Sequence, residues 1–334
     1  MRQKSIIVVY QPTDYEYSLI FIDLKYYLFT TIIHFPNFIK QLHVSVMKQI
    51  ITLFIFTLNT FFAFSQATTE DRDVANGRSL GTFEVGDTSF TLVADANVRD
   101  KPATTGGVVA KLNIGTRLKI ERMTTDSLTV KGFRAPWYQV SFTADNKQKN
   151  GYLWGGFIAS VFISEIDYKT NEMYMYLGGI ASFDEKNYKM TSQLRIAKNG
   201  QQVAALEFPT VGDLGYYPKL ELNSNNNFSN VKQMISYGMN YGACDYAQGD
   251  YLIFWTKNNQ LQKIMETTSS SGAGTGYASE TYHLPNHRGG IANHILVTED
   301  SAAMEEKGDD FVIKGQKFKV ALWKWNGAKL VKVM

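Results

Sequence analysis

The chain has 334 residues, 44% of them hydrophobic and 19% charged, which separates it from disordered sequences and leaves room for two modest domains behind any leader. Its formal net charge is +3, and residues 68–334 alone carry 29 basic and 28 acidic side chains, a net +1. With no dense Lys/Arg cluster there is no field to gather phosphates, so nucleic acid is excluded as a partner.

The first 46 residues are rich in Ile, Phe, Tyr and Lys without clean periodicity. Met47-Lys48-Gln49 then leads into the uncharged run IITLFIFTLNTFFAF, and small residues follow at Ala63, Ser65 and Ala67. A short basic start, an apolar run and a small-x-small site form a signal peptide, expected over 47–67. The run is short for a membrane-spanning helix, and no cysteine near the cleavage site supports a lipid anchor. The expectation is export to the periplasm or beyond, no stable membrane span after cleavage, and translation starting at Met47, with 1–46 a misassigned extension.

Residues 68–87 read as a polar linker with one short edge strand at 82–85. From 88 to 163 the spacing predicts five strands, at 89–94, 108–112, 117–123, 137–142 and 151–158. Each is short, rich in β-branched or aromatic residues and bounded by Gly, Pro, Asn or Asp. Between the first two, Arg99-Asp100-Lys101-Pro102 opens a loop, because the residue before proline is driven toward extended geometry. Alternation places Tyr152 and Trp154 on one face and Leu153 on the other.

The ordered set N-V-R at 97–99, the proline loop, I-G-T at 114–116, W-Y-Q-V at 137–140 and G-Y-L-W at 151–154 resembles bacterial SH3-like (SH3b) domains over about 65 residues. That resemblance implies a small β-barrel that binds rather than catalyses, with a peptidoglycan peptide or an envelope protein as partner. It also implies a polar–aromatic groove drawn from Asn97, Arg99, Asp100, Trp137, Tyr138, Tyr152 and Trp154, with core packing claiming at least half of the rings. Segments 124–136 and 143–150 depart from the family pattern and read as longer loops beside the ligand face.

From 164 to 334 the pattern is again strand–turn–strand. Asn199-Gly200, the strongest short hairpin signal, and also Asn258-Asn259 and Asn326-Gly327, each separate two apolar runs. The last two hairpins, YLIFWTKNNQLQKI and VALWKWNGAKLVKV, look alike and weakly resemble FG-GAP-type propeller repeats. A twisted antiparallel sheet or sandwich, with a short helix near 230–236, accounts for the same signals. The expected fold class is therefore all-β, a small SH3-like barrel followed by a larger antiparallel β domain.

Chemistry-bearing residues are few. Cys244 is the one cysteine, which excludes an intramolecular disulfide and a multi-cysteine metal site, and it reads as a small buried hydrophobe. A cell-wall cysteine hydrolase pairing Cys244 with His283 or His294 is permitted by chain order. However, no helix follows Cys244 to lower its thiol pKa. His283, His287 and His294 lie within twelve residues, but the intervening proline and glycines forbid a zinc-binding helix, so a solvated loop is expected. Asn223, Asn225 and Asn227 are neutral amides, a poor calcium set and a good turn. SSSGAGTG at 269–276 lacks the Lys-Ser/Thr of a phosphate loop and reads as a flexible connection. No catalytic residue, metal or cofactor is assigned. Intact mass of the exported protein tests the leader: a mature chain beginning between 64 and 68 is expected, and one that retains residues 17–40 overturns it.

Overall fold

The computed structural model describes residues 73–75, 79–167, 170–223, 227–243, 246–272, 276–307 and 310–334. The expected extension, the signal peptide and part of the linker lie outside the described residues, as does Cys244. All described residues fall in the unit Glu70–Met334. Among them no helix is long and apolar enough to cross a membrane.

The strands are, in chain order, β1 (Asp73–Ala75), β2 (Thr88–Phe90), β3 (Ala96–Arg99), β4 (Val108–Leu112), β5 (Arg117–Val130), β6 (Phe133–Ala144) and β7 (Lys147–Trp154). Then follow β8 (Val161–Asp167), β9 (Glu172–Asp184), β10 (Lys189–Lys198), β11 (Gln201–Thr210), β12 (Tyr217–Asn223) and β13 (Val231–Asn240). The last are β14 (Gln248–Thr256), β15 (Leu261–Gly272), β16 (Gly276–His283), β17 (His294–Lys307), β18 (Asp310–Trp325) and β19 (Leu330–Lys332). They form three antiparallel sheets, ordered β2-β5-β6-β7-β3-β4, β1-β8-β9-β10-β11, and β12 through β19 as one unbroken meander. The all-β, antiparallel expectation holds.

The first sheet curls around a core of Val98, Leu118, Ile120, Tyr138, Val140, Phe142, Leu153 and Ile158. Its strands alternate, so the opposite face carries Phe133, Ala135, Trp137 and Trp154. That second face is not solvated. It belongs to the largest core of the protein, which continues through Ile180, Phe183, Leu194 and Phe208 of the second sheet to Ile235, Tyr237, Tyr251 and Ile253 of the third. A further cluster, with Phe254, Ile295 and Trp325, holds the third sheet together on its other side.

Several expectations are corrected. The loop expected at 124–136 is the extension of the β5–β6 hairpin, turning at Lys131-Gly132 with both residues at positive φ. Its tip docks on β9, where the Phe183 N–H donates to the Lys131 carbonyl at 3.1 Å. A Cβ on Gly132 would collide with the Phe183 carbonyl oxygen, so only glycine permits this approach. The turn at 143–150 is likewise a tight reversal at Asp145-Asn146 between long strands. The fifth predicted strand ends at Trp154 and passes into a 3₁₀ turn, Gly155–Phe157, while Asn97 and Arg99 lie on a strand of their own.

No strand forms at 82–85. That stretch instead plugs the curled sheet: Phe83 is 3% and Leu80 2% exposed, and they insert into two different cores. Gly81 N–H donates to Ser160 Oγ at 3.1 Å, and Leu80 N–H to the Tyr216 carbonyl at 3.2 Å. Composition reads this stretch as linker because its few apolar residues are isolated in sequence.

In place of a helix near 230–236 stands β13, paired on both edges by β12 and β14. Met234 and Ile235 point into opposite cores, a two-sided burial that a strand satisfies. The hairpins at 199–200, 258–259 and 326–327 all form. They belong to sheets of different size and not to separate four-stranded blades. Most of the glycine-rich 269–276 is strand, β15 and β16 meeting across Gly272 and Gly276.

Two outcomes follow. The isolated fragment 88–163 leaves Phe133, Trp137 and Trp154 uncovered and lacks Phe83, so it should show no cooperative melting. In the intact chain Leu80→Ala should cost about 2–5 kcal/mol by thermal denaturation; a sharply melting fragment, or an indifferent Leu80→Ala, would contradict this packing. Burial also pushes the phenols of Tyr138, Tyr237 and Tyr251 above their ordinary value of 10.0. A raised folded-state pKa means that stability is complete below about pH 10 and is lost as pH climbs toward the folded values, at about 1.4 kcal/mol per pH unit for each ring. Absorbance titration should find these phenols ionising only as the protein unfolds.

Candidate functional site

The seven residues of the expected groove divide by face. Tyr138 lies at the centre of the curled sheet with no exposure. Its hydroxyl accepts from the Phe83 N–H at 3.2 Å and donates to the Gly81 carbonyl at 3.4 Å, and its ring meets Phe83 edge-on at 5.3 Å. Trp137 and Trp154 stand opposite each other on β6 and β7, each 4% exposed. The Trp154 Nε1–H donates to the carbonyls of Leu128 at 3.0 Å and Ala135 at 3.1 Å, and Phe157 packs edge-on against the indole at 5.1 Å. These three rings are structural. The Tyr138 hydroxyl and the Trp154 Nε1–H are paired within the chain, and all three rings are buried, which takes them out of the ligand-facing set.

Of the other four, Tyr152 and Arg99 share a row on the outer face. Strand register aligns Arg122 with Gln139, Gln139 with Tyr152, and Tyr152 with Arg99, a single row across β5, β6, β7 and β3. Residues directly opposite in an antiparallel ladder share a face with Cβ atoms about 5 Å apart, so these four side chains stand shoulder to shoulder. The row continues the Trp137–Trp154 row along the same strands. One end of the face is buried under the second sheet, while at this end Arg122 is exposed and Gln139, Tyr152 and Arg99 are half-buried.

The row is internally tied. Arg122 Nη2 donates to the Tyr152 hydroxyl at 3.2 Å. Arg99 Nη1 donates to the Gly106 carbonyl at 2.5 Å, and the Asp100 N–H to the Gly107 carbonyl at 3.0 Å, which folds the proline loop back on β3. Gly106 and Gly107 leave space for the Asp100 carboxylate: a Cβ on either would lie 3.0 Å from one of its oxygens. Asn97 sits two residues before Arg99 on β3, and its Oδ1 is buried without a hydrogen-bond partner. Beside Arg122, Glu121 accepts from Ser141 Oγ at 2.6 Å. Two guanidiniums, of five donors each, thus flank one phenol on a rigid sheet, an arrangement suited to a planar carboxylate.

Arg122 and Gln139 are not among the seven residues expected to form the groove. Gln139 lies two residues beyond Trp137, so alternation places it on the Trp137 face. Arg122 is recognisable only through the β5–β6 register, which a bulge between Ile120 and Arg122 resets.

The histidines do not converge with other ligands. His283 and His287 rings are 6.2 Å apart, His283 Nε2 lies 3.4 Å from Thr298 Oγ1, and His294 Nδ1 meets the Ala292 carbonyl at 2.8 Å. Among the described residues no group of three or more His, Cys, Asp or Glu is placed to hold a metal. Asn223 Nδ2 donates to Ser236 Oγ at 2.8 Å and so serves as a strut between β12 and β13; Asn225 is outside the described residues. No family model matches the sequence, and no curated protein and no solved structure matches it.

Proposed function

We propose that this chain is an exported, non-catalytic binding protein of the bacterial cell envelope, in which an SH3-like module holds a carboxylate-bearing peptide of peptidoglycan. The observation that supports this reading is the row Arg122–Gln139–Tyr152–Arg99, with cations on both sides of an aromatic hydroxyl and a backbone-pinned loop closing one end. Peptidoglycan stem peptides are short, extended and rich in carboxylates. Such a ligand would lie across the strands, its carboxylates taken by the guanidiniums and its amides by Gln139 and Asn97. Charge-assisted hydrogen bonds of this kind contribute about 1.5–3 kcal/mol each, which suits modest affinity from a few contacts. The buried tryptophans keep the supporting strands from moving.

Cosedimentation of the mature chain with purified peptidoglycan tests the proposal. Wild type should be retained, and the double substitution Arg99→Ala with Arg122→Ala should weaken retention by about tenfold or more, since it removes two charge-assisted contacts. Raising the salt concentration should weaken the parent in the same direction. Free stem peptide should compete. Absence of retention, or equal retention by the double variant, would count against the proposal. Capture of an envelope protein through the same arginines, without peptidoglycan binding, would replace the ligand with that protein.

A further inference from the structure

A second feature lies on the last long strand of the third sheet and shares no residue with the arginine row. β18 pairs with β17 from Asp310 to Lys324, but on its other edge β19 covers only Trp323, Lys324 and Trp325. The chain end extends that cover by one residue. The Leu322 N–H donates to the Met334 carbonyl at 3.0 Å, and the Leu322 carbonyl accepts from the Val333 N–H at 2.8 Å. From there back to the hairpin tip, no strand among the described residues pairs with this edge. Ladder geometry turns the N–H and C=O of alternate residues to the same side. Leu322 turns its pair outward, so Phe318 and Val320 do the same and present their backbone groups to solvent.

The two faces of this edge differ in chemistry. A bulge sets Gly315, at a φ of 62°, and Gln316 against the single residue Ala302. Ser301 and Ala303 share a face, so their partners Lys317 and Lys314 do too, and Lys319, opposite Glu299, joins them. Ile313, Phe318 and Val320 stand on the reverse face, 55%, 65% and 42% exposed. On the basic face Lys319 Nζ lies 2.6 Å from Glu299 Oε2, and Lys314 is ion-paired with Glu305, both partners belonging to β17. Lys317 has no ion-pair partner among the described residues.

Charge selects what this edge accepts. Edge lysines discourage the pairing of like strands. A second copy of β18 laid antiparallel about Lys319 would set Lys319 against Lys319, and about Phe318 it would set Lys317 against Lys319. Like charges directly opposite destabilise a ladder. The same lysines favour a strand of opposite charge, since a carboxylate beyond Lys319 continues the cross-strand alternation that Glu299 begins. On the reverse face Phe318 and Val320 call for apolar side chains, and large apolar residues grouped on an exposed surface mark an interaction site. We infer that the β18 edge over 317–321 docks an extended segment of a partner protein in which acidic and apolar residues alternate, added as a further strand of the sheet. Backbone pairing supplies the affinity and the two faces supply the selection. The site does not rest on the proposed peptide row.

Fluorescence anisotropy of the mature chain with two labelled heptapeptides, one alternating valine with glutamate and the other valine with lysine, tests the inference. Saturable binding of the acidic peptide is expected, about tenfold or more tighter than that of the basic one. Val320→Pro removes an outward N–H that the ladder to β17 does not use, so it should abolish binding while the melting temperature moves little. Lys317→Glu should weaken the acidic peptide by about three- to tenfold and strengthen the basic one, a reversal that loss of folding cannot produce. The Arg99→Ala/Arg122→Ala variant should bind like the parent. No saturable binding of the acidic peptide, equal affinity for the two peptides, binding indifferent to Val320→Pro, or a Lys317→Glu variant with unchanged preference would overturn the site. Dimerisation in sedimentation velocity that Val320→Pro removes, without peptide binding, would overturn it as well and give the edge to a second copy.

Discussion

Trp137 and Tyr138 are neighbours in sequence and occupy different cores. Tyr138 points into the curl of the first sheet with Leu153 and Ile120, while Trp137 points outward to Trp154, Phe133 and, beyond them, the second sheet. The β6–β7 ladder is thus buried on both sides, and the rest of the structure depends on that double burial. It fixes the register of this ladder, since a slip of one residue would bring Pro136 or Tyr138 to the place of Trp137, and Leu153 or Gly155 to the place of Trp154. It also makes the curled sheet and the following sheets one packed body through a continuous core. A small barrel of this length has a poor ratio of buried to exposed surface, and sharing its outer face offsets that deficit.

The same constraint accounts for where binding chemistry can sit. The outer face of β6 and β7 is apolar where the second sheet covers it and polar where cover ends, one residue pair along each strand. Tyr152 and Gln139 stand at that border. Their backbones are held by the tryptophan row, so the side chains of Arg99 and Arg122 are presented by stiff strands and not by mobile loops. Stiff presentation lowers the ordering cost of binding, which matters most when each contact is small. Segment 79–87 reinforces this from the other side, because Phe83 and its N–H close the space above Tyr138.

The third sheet is organised differently. Its strands follow strict chain order, and its pairings are local hairpins, so it needs little long-range information. At one of its ends Tyr216 packs on Tyr241, and Tyr241 stacks on Tyr246. The hydroxyl of Tyr251 accepts the Val211 N–H at 2.6 Å, and Phe208 packs on both Tyr237 and Tyr251, so the second and third sheets are joined by aromatic contacts as the first two are. Lys232 Nζ, 4.0 Å from the centre of the Trp255 ring, adds a cation–π contact at that seam, beside Tyr174 of β9.

Local patterns in the chain were enough to determine the all-β class, the three Asn-containing hairpins and the split of Tyr152 and Trp154 from Leu153. Each of these rests on residues two or three apart, where period-two alternation and positive-φ turn chemistry act without help from distant segments. The resemblance to SH3-like domains, and not the local pattern, brought Arg99 and Tyr152 into one candidate set. Tertiary structure alone decided the rest. A strand exposes one face or none according to what packs on it, so Trp137, Tyr138 and Trp154 read as a groove until the second sheet is laid over two of them and Phe83 over the third. Residues 124–136 read as a loop until β9 meets the hairpin tip at Gly132, and 79–87 reads as a linker until Leu80 and Phe83 find separate cores. Arg122 entered the row only through a bulge that resets pairing, and Tyr216 met Tyr241 only through tertiary packing. These are long-range contacts, and no periodicity within a single segment encodes its partner.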